Sequence, residues 1–376
     1  MAVDYLGLNF IEHYLLPQHM DTTGKVPTPY ASHFRQPAEW ETHYACWLAW
    51  PSHEELWLEG LEEARSEFIA LCQAIAGPPS LQVPITEKLE ILVPDEAQKT
   101  LASQALAGLP VHFHLIRFGD IWLRDTAPIF LTNPRGGLAT VRFGFNGWGE
   151  KYVLPDDAQV SVQIAEKVGG IAFDFPWVLE GGSVEVDGEG TCLTTRQCLL
   201  NPNRNPSMSQ EAVEKGLRDA LGIDKVLWLD EGLLNDHTDG HIDTLARFVA
   251  PGVVLCMQAQ TAEDPNRDVL EKIAQDLASF TDAEGRSLTV VRIPSPGKIL
   301  NEEQEVMPAS YVNFYIGNRT VVVPTYGTPQ DAEAVALIGQ CFPDRQTVGL
   351  SAKAILRGGG AFHCITQQQP IPSRVE

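Results

Sequence analysis

Residues 46–94 read CWLAWPSHEELWLEGLEEARSEFIALCQAIAGPPSLQVPITEKLEILVP, and the order of elements in this stretch decides the fold class. Residues 46–50 form a short apolar strand that ends at a proline. Apolar residues with helical spacing follow over 54–76, and a Gly-Pro-Pro sequence ends that helix. Residues 89–94 form a second apolar strand. A strand, a helix and a strand in this order indicate an α/β protein.

The alternation of short strands with fewer helices continues along the rest of the chain. Because no linker interrupts it after residue 40, we expect one catalytic domain over residues 37–376, preceded by an N-terminal extension over residues 1–36. Further helices are expected at residues 95–107, 209–221, 265–279 and 330–341. Further strands are expected at residues 111–116, 129–133, 184–188, 191–195, 225–229, 244–249, 252–257, 288–294, 314–318 and 320–324.

The composition limits the classes of partner. The 376 residues carry a formal net charge of −22, and such a polyanion repels nucleic acid and anionic lipid but attracts small cations. The first twenty residues lack the basic start of a signal peptide, and no run is long and apolar enough to span a bilayer, which predicts a cytoplasmic protein. Seven cysteines without a C-x-x-C pair favour neither disulfides nor a zinc ribbon. A homodimer is common for acidic enzymes of this size.

Two motifs contain groups suited to covalent hydrolysis. In GHID, at residues 240–243, His241 and Asp243 would share one face of a strand, which places an imidazole beside a cation-binding carboxylate. In GGGAFHC, at residues 358–364, three glycines allow a tight turn that can present Cys364 in a pocket as a nucleophile. In an extended chain His363 would face the opposite way, so we do not assign it as the base. A polar surface strand and a buried cysteine are the simpler interpretations.

Two further motifs supply carboxylates. Asp125 lies within RDTAP at an expected strand end, and Glu180 precedes two glycines in LEGG, where a backbone bend can aim it inward. Taken alone, each motif is better explained by turn formation, with Asp125 as a cap and Glu180 in solvent.

The segment DHTDGHID, at residues 236–243, also permits a metal site. His237 and His241 have the i, i+4 spacing of a helical metal-binding pair. Gly240 and the aspartate-rich start disfavour a helix, and no glutamate general base stands between the two histidines. A metal-dependent hydrolase built on this pair stays open as an alternative.

Taken together, these motifs resemble those of the agmatine deiminase family, which is similar to the Porphyromonas-type peptidyl-arginine deiminases within the superfamily of guanidine-modifying enzymes. The resemblance covers nearly everything after residue 36. It implies a pentein-type α/β propeller, a pseudo-fivefold arrangement of strand–helix units around a central site. The matching segments, in chain order, are PAEWETHYACWLAWP, WLRDTAP, FNGWG, LEGGSVEVDGEGT, NRNP, TDGHIDTLARF, ASYVNF and GGGAFHCITQQ.

The resemblance also implies an activity and a set of roles. The activity is hydrolysis of agmatine to N-carbamoylputrescine and ammonia through a covalent cysteine thiouronium intermediate, without metal or organic cofactor, in putrescine and polyamine biosynthesis. Cys364 would be the nucleophile, His241 the acid/base, and Glu180 the support of His241. The groups that bind the guanidinium would be Asp125 and Asp243, and Trp122 would line the pocket.

Several positions depart from the family pattern. Ala127 and Ala361 replace a glycine and an asparagine that many relatives have. His237 stands where relatives often have an acid that can bind the distal amine of agmatine. In this chain Asp236, Asp239 or Glu231 is then expected to contact that amine.

Besides the metal-dependent hydrolase, two alternatives to agmatine hydrolysis remain. With the same chemistry, the substrate would be arginine or peptidyl-arginine if Arg204, Arg247 or Arg357 binds a carboxylate. A non-catalytic binding protein on the same scaffold is the least favoured alternative, because the set of catalytic residues is complete.

Overall fold

The computed structural model of the chain describes residues 27–77 and 87–372. The strands within these ranges are β1 (His43–Ala49), β2 (Lys88–Val93), β3 (Val111–Leu115), β4 (Ile129–Thr132), β5 (Leu138–Gly144), β6 (Ile171–Val178), β7 (Glu185–Val186), β8 (Thr191–Thr195), β9 (Lys225–Leu229), β10 (Ala246–Ala250), β11 (Val253–Gln258), β12 (Thr289–Pro294), β13 (Tyr315–Ile316), β14 (Thr320–Thr325), β15 (Gln346–Ser351) and β16 (Gln367–Pro370). The α-helices are α1 (Glu54–Trp57), α2 (Leu61–Ala76), α3 (Glu96–Ala105), α4 (Leu123–Thr126), α5 (Gly147–Glu150), α6 (Asp157–Val168), α7 (Arg196–Leu199), α8 (Gln210–Leu221), α9 (Arg267–Ser279), α10 (Asp331–Cys341) and α11 (Lys353–Arg357).

One strand pattern recurs in every sheet of the described chain. An antiparallel pair comes first, as in β4 and β5, and the second strand then pairs in parallel with a third, as in β5 and β6. A parallel step needs a crossover connection, which helices supply in each unit. The orders β4-β5-β6, β7-β8-β9, β10-β11-β12 and β13-β14-β15 all follow this pattern.

The fifth unit joins the two ends of the chain. Its sheet has the order β16-β1-β2-β3, in which β16 is antiparallel to β1, and β1, β2 and β3 are parallel. The strand that follows the last catalytic motif therefore completes the sheet that begins the domain. The expected pseudo-fivefold α/β propeller is confirmed, with β3 as an additional edge strand.

The segment before β1 packs against the rest of the domain. Phe34 is buried edge-to-face against Phe173, with ring centroids 6.0 Å apart, and Arg35 forms a backbone bridge with Thr132. The division between extension and domain at residue 36 stays a prediction. Residues 1–26, which make up most of the predicted extension, lie outside the described ranges.

Local sequence explains most of the predicted elements. Each predicted strand and helix overlaps an observed element of the same type, because the short apolar runs are buried on both faces, as in β1 and β2. Helix α2 ends where Gly77 takes a left-handed φ of 69° and its N–H bonds the Gln73 carbonyl. Pro78 and Pro79, which complete the predicted helix-ending sequence, lie outside the described residues. No helix of the described chain has the length and apolar character to cross a membrane.

A buried polar network joins the first strands of the sheets. Arg247 of β10 is fully buried; its Nε donates to Glu185 of β7 at 2.8 Å and its Nη2 donates to Glu39 at 2.7 Å. Its Nη1 donates to the carbonyl of Phe314, directly before β13. In turn Glu39 accepts from His363 Nε2 at 2.8 Å, just before β16. Carboxylates on both sides of one buried cation therefore hold four sheets in register.

Replacing Arg247 by Met tests this network. The substitution leaves Glu39 and Glu185 buried without their main counter-charge, so we expect a loss of about 3–5 kcal/mol in the free energy of unfolding, measured by chemical denaturation. The control is Arg196→Met, because Arg196 pairs with Asp230 where the two side chains are 43% and 50% exposed. That pair should be worth less than about 1 kcal/mol. Equal effects of the two variants would contradict a structural role for the buried network.

Candidate active site

Two buried carboxylates come close to one point beside Gly182. A β-carbon added to this glycine would lie 3.0 Å from Asp125 Oδ1, 3.1 Å from Asp243 Oδ2 and 2.6 Å from His241 Nδ1. Asp125 is held by N–H donors, Gly182 N on Oδ1 and Trp148 Nε1 on Oδ2, each at 2.8 Å. The Oδ1 atom of Asp243 is buried and has no hydrogen-bond partner among the described residues. The space beside Gly182 is thus lined by acceptors suited to a cation.

Cys364 lies at the same site, inside a turn over residues 362–365. Its Sγ accepts from Asn313 Nδ2 at 3.1 Å and lies 3.5 Å from Asp243 Oδ2. Only 6% of the residue is exposed, because the Trp122 ring and the glycine loop cover it. A β-carbon on Gly360 would lie 2.7 Å from Trp122 Cζ3 and 3.1 Å from Cys364 Sγ, so the tryptophan and the thiol share one wall.

His241 is buried beside the acids and makes no close hydrogen bond. Its Nδ1 lies 3.8 Å from Asp125 Oδ1, which is too long for a hydrogen bond. Neither ring nitrogen has a hydrogen-bond partner within the described chain. Burial alone would lower the pKa of His241, but the Asp125 carboxylate, aided by Cys198 and Glu180, raises it well above its usual range. The site therefore favours the protonated imidazole, and its ring nitrogens face no hydrogen-bond partner among the described residues.

Glu180 lies behind His241 and is fixed by an arginine. Its Oε1 accepts from Arg204 Nε at 2.6 Å, and both side chains are fully buried. Its Oε2 has no partner among the described residues. Glu180, Cys198 and His241 each offer one donor atom within 4.8 Å of the others. Glu180 thus adds negative charge behind the imidazole without a hydrogen bond to it in this structure.

His363 connects the site to the buried network. Its Nδ1 lies 2.7 Å from Asp243 Oδ2 and its Nε2 lies 2.8 Å from Glu39 Oε2. Burial and the charges of Arg124 and Arg247 lower the pKa of His363. Both of its nitrogens are occupied by carboxylates, which leaves it to hold Asp243 in place.

His237 lies at the surface beside the triple glycine. A β-carbon on Gly359 would come within 3.3 Å of its Nδ1, which is also 3.3 Å from the Tyr152 hydroxyl. Asp236 uses Oδ1 to cap Thr238, while its Oδ2 is buried without a partner among the described residues. Of the acids expected to contact a distal amine, Asp236 therefore keeps a free acceptor oxygen.

Another expected acid is already occupied. Asp239 accepts from Lys151 Nζ at 2.6 Å, from Arg204 Nη1 at 2.6 Å and from Asn203 Nδ2 at 2.9 Å. Glu231 is exposed. The surface around His237 thus carries a cation, Lys151, as well as acids.

Two local premises of the sequence analysis are wrong. His241 does not begin a strand: it precedes a 3-10 helix over Ile242–Thr244, and β10 begins later. The chain around Cys364 is a turn and not extended, so His363 lies inside the protein next to the site. Both motifs still reach the site because a turn, and not strand alternation, aims His241 and Asp243 inward.

The helical spacing of His237 and His241 does not produce a metal site. Asn235, Asp239 and Gly240 have φ values of 60°, 65° and 85°, so the segment is a series of turns. Among the described residues, the clusters with metal-ligating donors close together do not include His237.

The electrostatics of the site keep the free thiol neutral. Burial, followed by the charges of Asp243 and Asp125, raises the pKa of the Cys364 thiol well above its usual range. Burial, together with Asp243 and Glu180, also raises the pKa of Asp125 to about 6, although His241 and the Trp148 N–H oppose this rise. A cation bound between the acids would reverse both effects.

The turns that carry these groups repeat around the propeller. Asp125, Gly182, Asp243, Asn313 and Cys364 each stand a few residues before the first strand of a different sheet, namely β4, β7, β10, β13 and β16. Sequence reasoning selected three of them and missed Asn313 and the space beside Gly182. It also missed the carboxylate of Glu39 and the Trp148 N–H. In the other four sheets a site residue stands shortly before the first strand. Applying the same position to the strand at residues 315–316 would have indicated Asn313.

Comparison with known proteins places the chain in a family. The family model described as Porphyromonas-type peptidyl-arginine deiminase matches residues 35–370. An agmatine deiminase of Ectopseudomonas mendocina (strain ymp) is 39% identical over 368 residues, which cover 92% of this chain and 98% of that protein.

Solved structures agree with this assignment. The structure of an agmatine deiminase of Enterococcus faecalis, described as catalysing its reaction, has a TM-score of 0.86 and 32% identity, and the match covers 92% of this chain and 98% of that one. A C. jejuni agmatine deiminase with substrate bound has a TM-score of 0.80 and 26% identity, with 91% and 97% of the two chains covered.

Gly182→Ala tests whether the reaction takes place beside this glycine. The added methyl would lie 2.6 Å from His241 Nδ1 and displace the groups around it, so we expect hydrolysis of a guanidine substrate to fall by about 100-fold or more. The control is Gly60→Ala, because a methyl there would meet only the flexible end of Arg357, at 3.3 Å. Wild-type turnover by Gly182→Ala would show that the space is not the site.

Proposed function

The chain belongs to the Porphyromonas-type peptidyl-arginine deiminase family, and from this membership and the geometry of the site we propose that it hydrolyses agmatine to N-carbamoylputrescine and ammonia. It is a hydrolase that acts on guanidino C–N bonds. The observation that carries the substrate class is the pair of buried carboxylates, Asp125 and Asp243, that flank the space beside Gly182 with a thiol and an imidazolium adjacent.

Binding of the guanidinium fixes its plane and prepares the thiol. A guanidinium presents a rigid fork of N–H donors, and Asp125 and Asp243 each offer oxygens that accept such pairs. Each charge-assisted hydrogen bond contributes roughly 1.5–3 kcal/mol. The bound cation offsets the negative charge that helps to hold the Cys364 thiol neutral, so the thiol releases its proton to solvent and the thiolate forms when substrate is present.

The first half of the reaction releases ammonia. The Cys364 thiolate attacks the central guanidinium carbon; a C–S bond forms, and the electron pair of a C=N bond moves to nitrogen. His241, positively charged in the free protein, gives its proton to the terminal amine, and the C–N bond breaks. This leaves an S-alkylthiouronium on Cys364 and a neutral His241.

The second half regenerates the thiolate. His241 accepts one proton from water as the oxygen attacks the thiouronium carbon. The C–S bond then breaks with its electron pair on sulfur, and the remaining hydroxyl proton passes to solvent as the carbonyl of the carbamoyl product forms. Glu180, held by Arg204 behind the imidazole, favours the positively charged His241 at each protonation. In this proposal Trp122 covers the thiol and Asn313 orients it.

The surroundings favour agmatine over an amino acid. Free arginine brings a carboxylate that needs a cation, but Arg204 is engaged by Glu180 and Asp239, and Arg247 by Glu39 and Glu185. The third candidate, Arg357, is paired with Glu302 at 3.5 Å between Nη2 and Oε1. The distal ammonium of agmatine would instead meet Asp236 Oδ2, with His237 at the rim.

The biological setting is part of the proposal. The product would feed putrescine and polyamine biosynthesis, and the reaction would take place in the cytoplasm. A homodimer, and the absence of nucleic-acid and membrane partners, stay predictions. The metal-dependent alternative is not favoured, because His237 and His241 do not share a site. The non-catalytic alternative is not favoured, because the thiol, the imidazole and the two carboxylates lie close together.

A substrate panel with Cys364→Ala tests the proposal. We expect wild-type protein to release ammonia from agmatine but from neither free arginine nor an arginine peptide, and the variant to lose this turnover while it still binds agmatine. Cys341→Ala, at the half-buried end of α10, is the control and should keep wild-type turnover. Undiminished turnover in Cys364→Ala would disprove the thiol mechanism, and release from arginine alone would disprove the substrate.

The pH dependence of kcat/KM provides a second test. Asp125, with a pKa of about 6, must be ionised to bind a guanidinium, so kcat/KM should fall as the pH drops below about 6. Trp148→Phe removes a hydrogen bond that lowers the pKa of Asp125 and should move this acidic limb to higher pH. Trp228→Phe, which removes an N–H donor to Glu214, is the control. An acidic limb at the same pH in all three proteins would refute the role of Asp125.

A further inference from the structure

A second cluster of titratable groups lies on the first sheet, apart from the residues of the active site. His112 and His114 are two positions apart on β3 and therefore point to the same face of the sheet. Glu90 stands on the neighbouring strand β2, where its Cα is the register partner of His112. Parallel pairing of β2 with β3 thus brings two imidazoles and a carboxylate together.

Both imidazoles contact the same carboxylate oxygen of Glu90. Glu90 Oε2 lies 2.9 Å from His112 Nδ1 and 2.6 Å from His114 Nε2. The two imidazole rings are 4.4 Å apart between centroids. Each residue can offer one ligand atom, and these atoms lie within 4.8 Å of one another.

The cluster combines rigid ligands with an accessible one. The side chains of Glu90 and His114 are each 9% exposed, whereas that of His112 is 71% exposed. The Trp47 ring stacks on His114 with centroids 4.8 Å apart and fixes its orientation. An ion can therefore approach from the side of His112, and His112 can move to receive it.

The ligand set and its charge match a borderline divalent cation. Two imidazole nitrogens and one carboxylate oxygen form an open three-ligand zinc site, in which water completes the tetrahedron. Zinc–ligand bonds of about 2.0–2.1 Å require donors roughly 3.3 Å apart, so the present hydrogen bonds need to open by only about half an ångström. Burial would raise the pKa of Glu90, but its hydrogen bonds and charge interactions with His114 and His112 lower it, which keeps the carboxylate ionised.

We propose that Glu90, His112 and His114 form a binding site for Zn²⁺ on the edge of the first sheet, separate from the catalytic centre. The ion would cross-link β3, which has a neighbour on one side only, to β2. A metal-ligating imidazole nitrogen must be free of its proton, so affinity falls as the pH decreases. The inference goes beyond the proposed function and does not depend on it.

The test compares metal binding by untagged, chelator-stripped protein and its variants. Zn²⁺ titrations by calorimetry near neutral pH, and Co²⁺ titrations followed by visible absorption, should detect one more equivalent in wild type than in His112→Ala. Glu90→Gln keeps the shape of the side chain and should weaken this equivalent by about tenfold or more. Zn²⁺ should raise the Tm of wild type more than that of either variant. His33→Asn removes an exposed histidine elsewhere and should bind like wild type.

The experiment must also distinguish the proposed site from a second cluster of possible metal ligands. Glu180, Cys198 and His241 also place donor atoms within 4.8 Å of one another, and an ion there would block agmatine turnover. The proposal is supported if the additional ion is lost in His112→Ala and is bound about tenfold or more weakly in Glu90→Gln, while turnover of Zn²⁺-loaded wild type persists. It is overturned if both variants bind as many ions as wild type with the same affinity, with or without inhibition. Loss of agmatine turnover without metal would count against the proposed function and not against this site.

Discussion

The buried carboxylate of Glu39 is the contact on which both the ring of sheets and the site depend. It accepts from Arg247, His363 and the backbone N–H of Ile316. Glu39, which precedes β1, therefore contacts groups in β10 and β13 and a group shortly before β16. Burial would raise its pKa, but Arg247, His363 and Arg124 outweigh burial and lower it well below its usual range. Glu39 therefore stays charged, and through His363 it also fixes Asp243. The closure of the fold and the position of a substrate anchor are the same set of hydrogen bonds.

The free protein holds more negative than positive charge at the point where the guanidinium is to bind. Asp125, Asp243 and Glu180 are buried close to Cys364 and His241, and the first two raise the pKa of the thiol. A thiol kept neutral reacts slowly with oxidants and with neutral electrophiles. In the proposed mechanism the cation that offsets this charge is the substrate itself, so ionisation of the thiol would be coupled to occupancy by a guanidine. Selectivity and activation would then depend on the same buried carboxylates.

Sequence reasoning found what apolar periodicity and motif chemistry encode. The strand–helix–strand start and the helices with clear stripes follow from local signals, whereas the propeller and the roles of the acid, thiol and imidazole motifs follow from the family resemblance. Strand β16 could not be found in this way, because its residues QQQP are polar yet buried: Gln367 and Gln368 accept from Arg124, and Gln369 accepts from Trp47. Its pairing depends on partners distant in sequence. The roles of Glu39 and His363 escaped prediction for the same reason.

The repeat of the fold explains why the chemistry is spread along the chain. Each sheet begins with a short strand, and the turn before it supplies a site group: Asp125, Gly182, Asp243, Asn313 and Cys364 precede β4, β7, β10, β13 and β16. A single short segment could not bring two acids, a thiol and an amide together, because neighbouring side chains in a turn diverge. Five segments from five sheets can, since each contributes one group. The five sheets therefore supply different groups from comparable positions, a few residues before their first strands, and share the same antiparallel and parallel strand order.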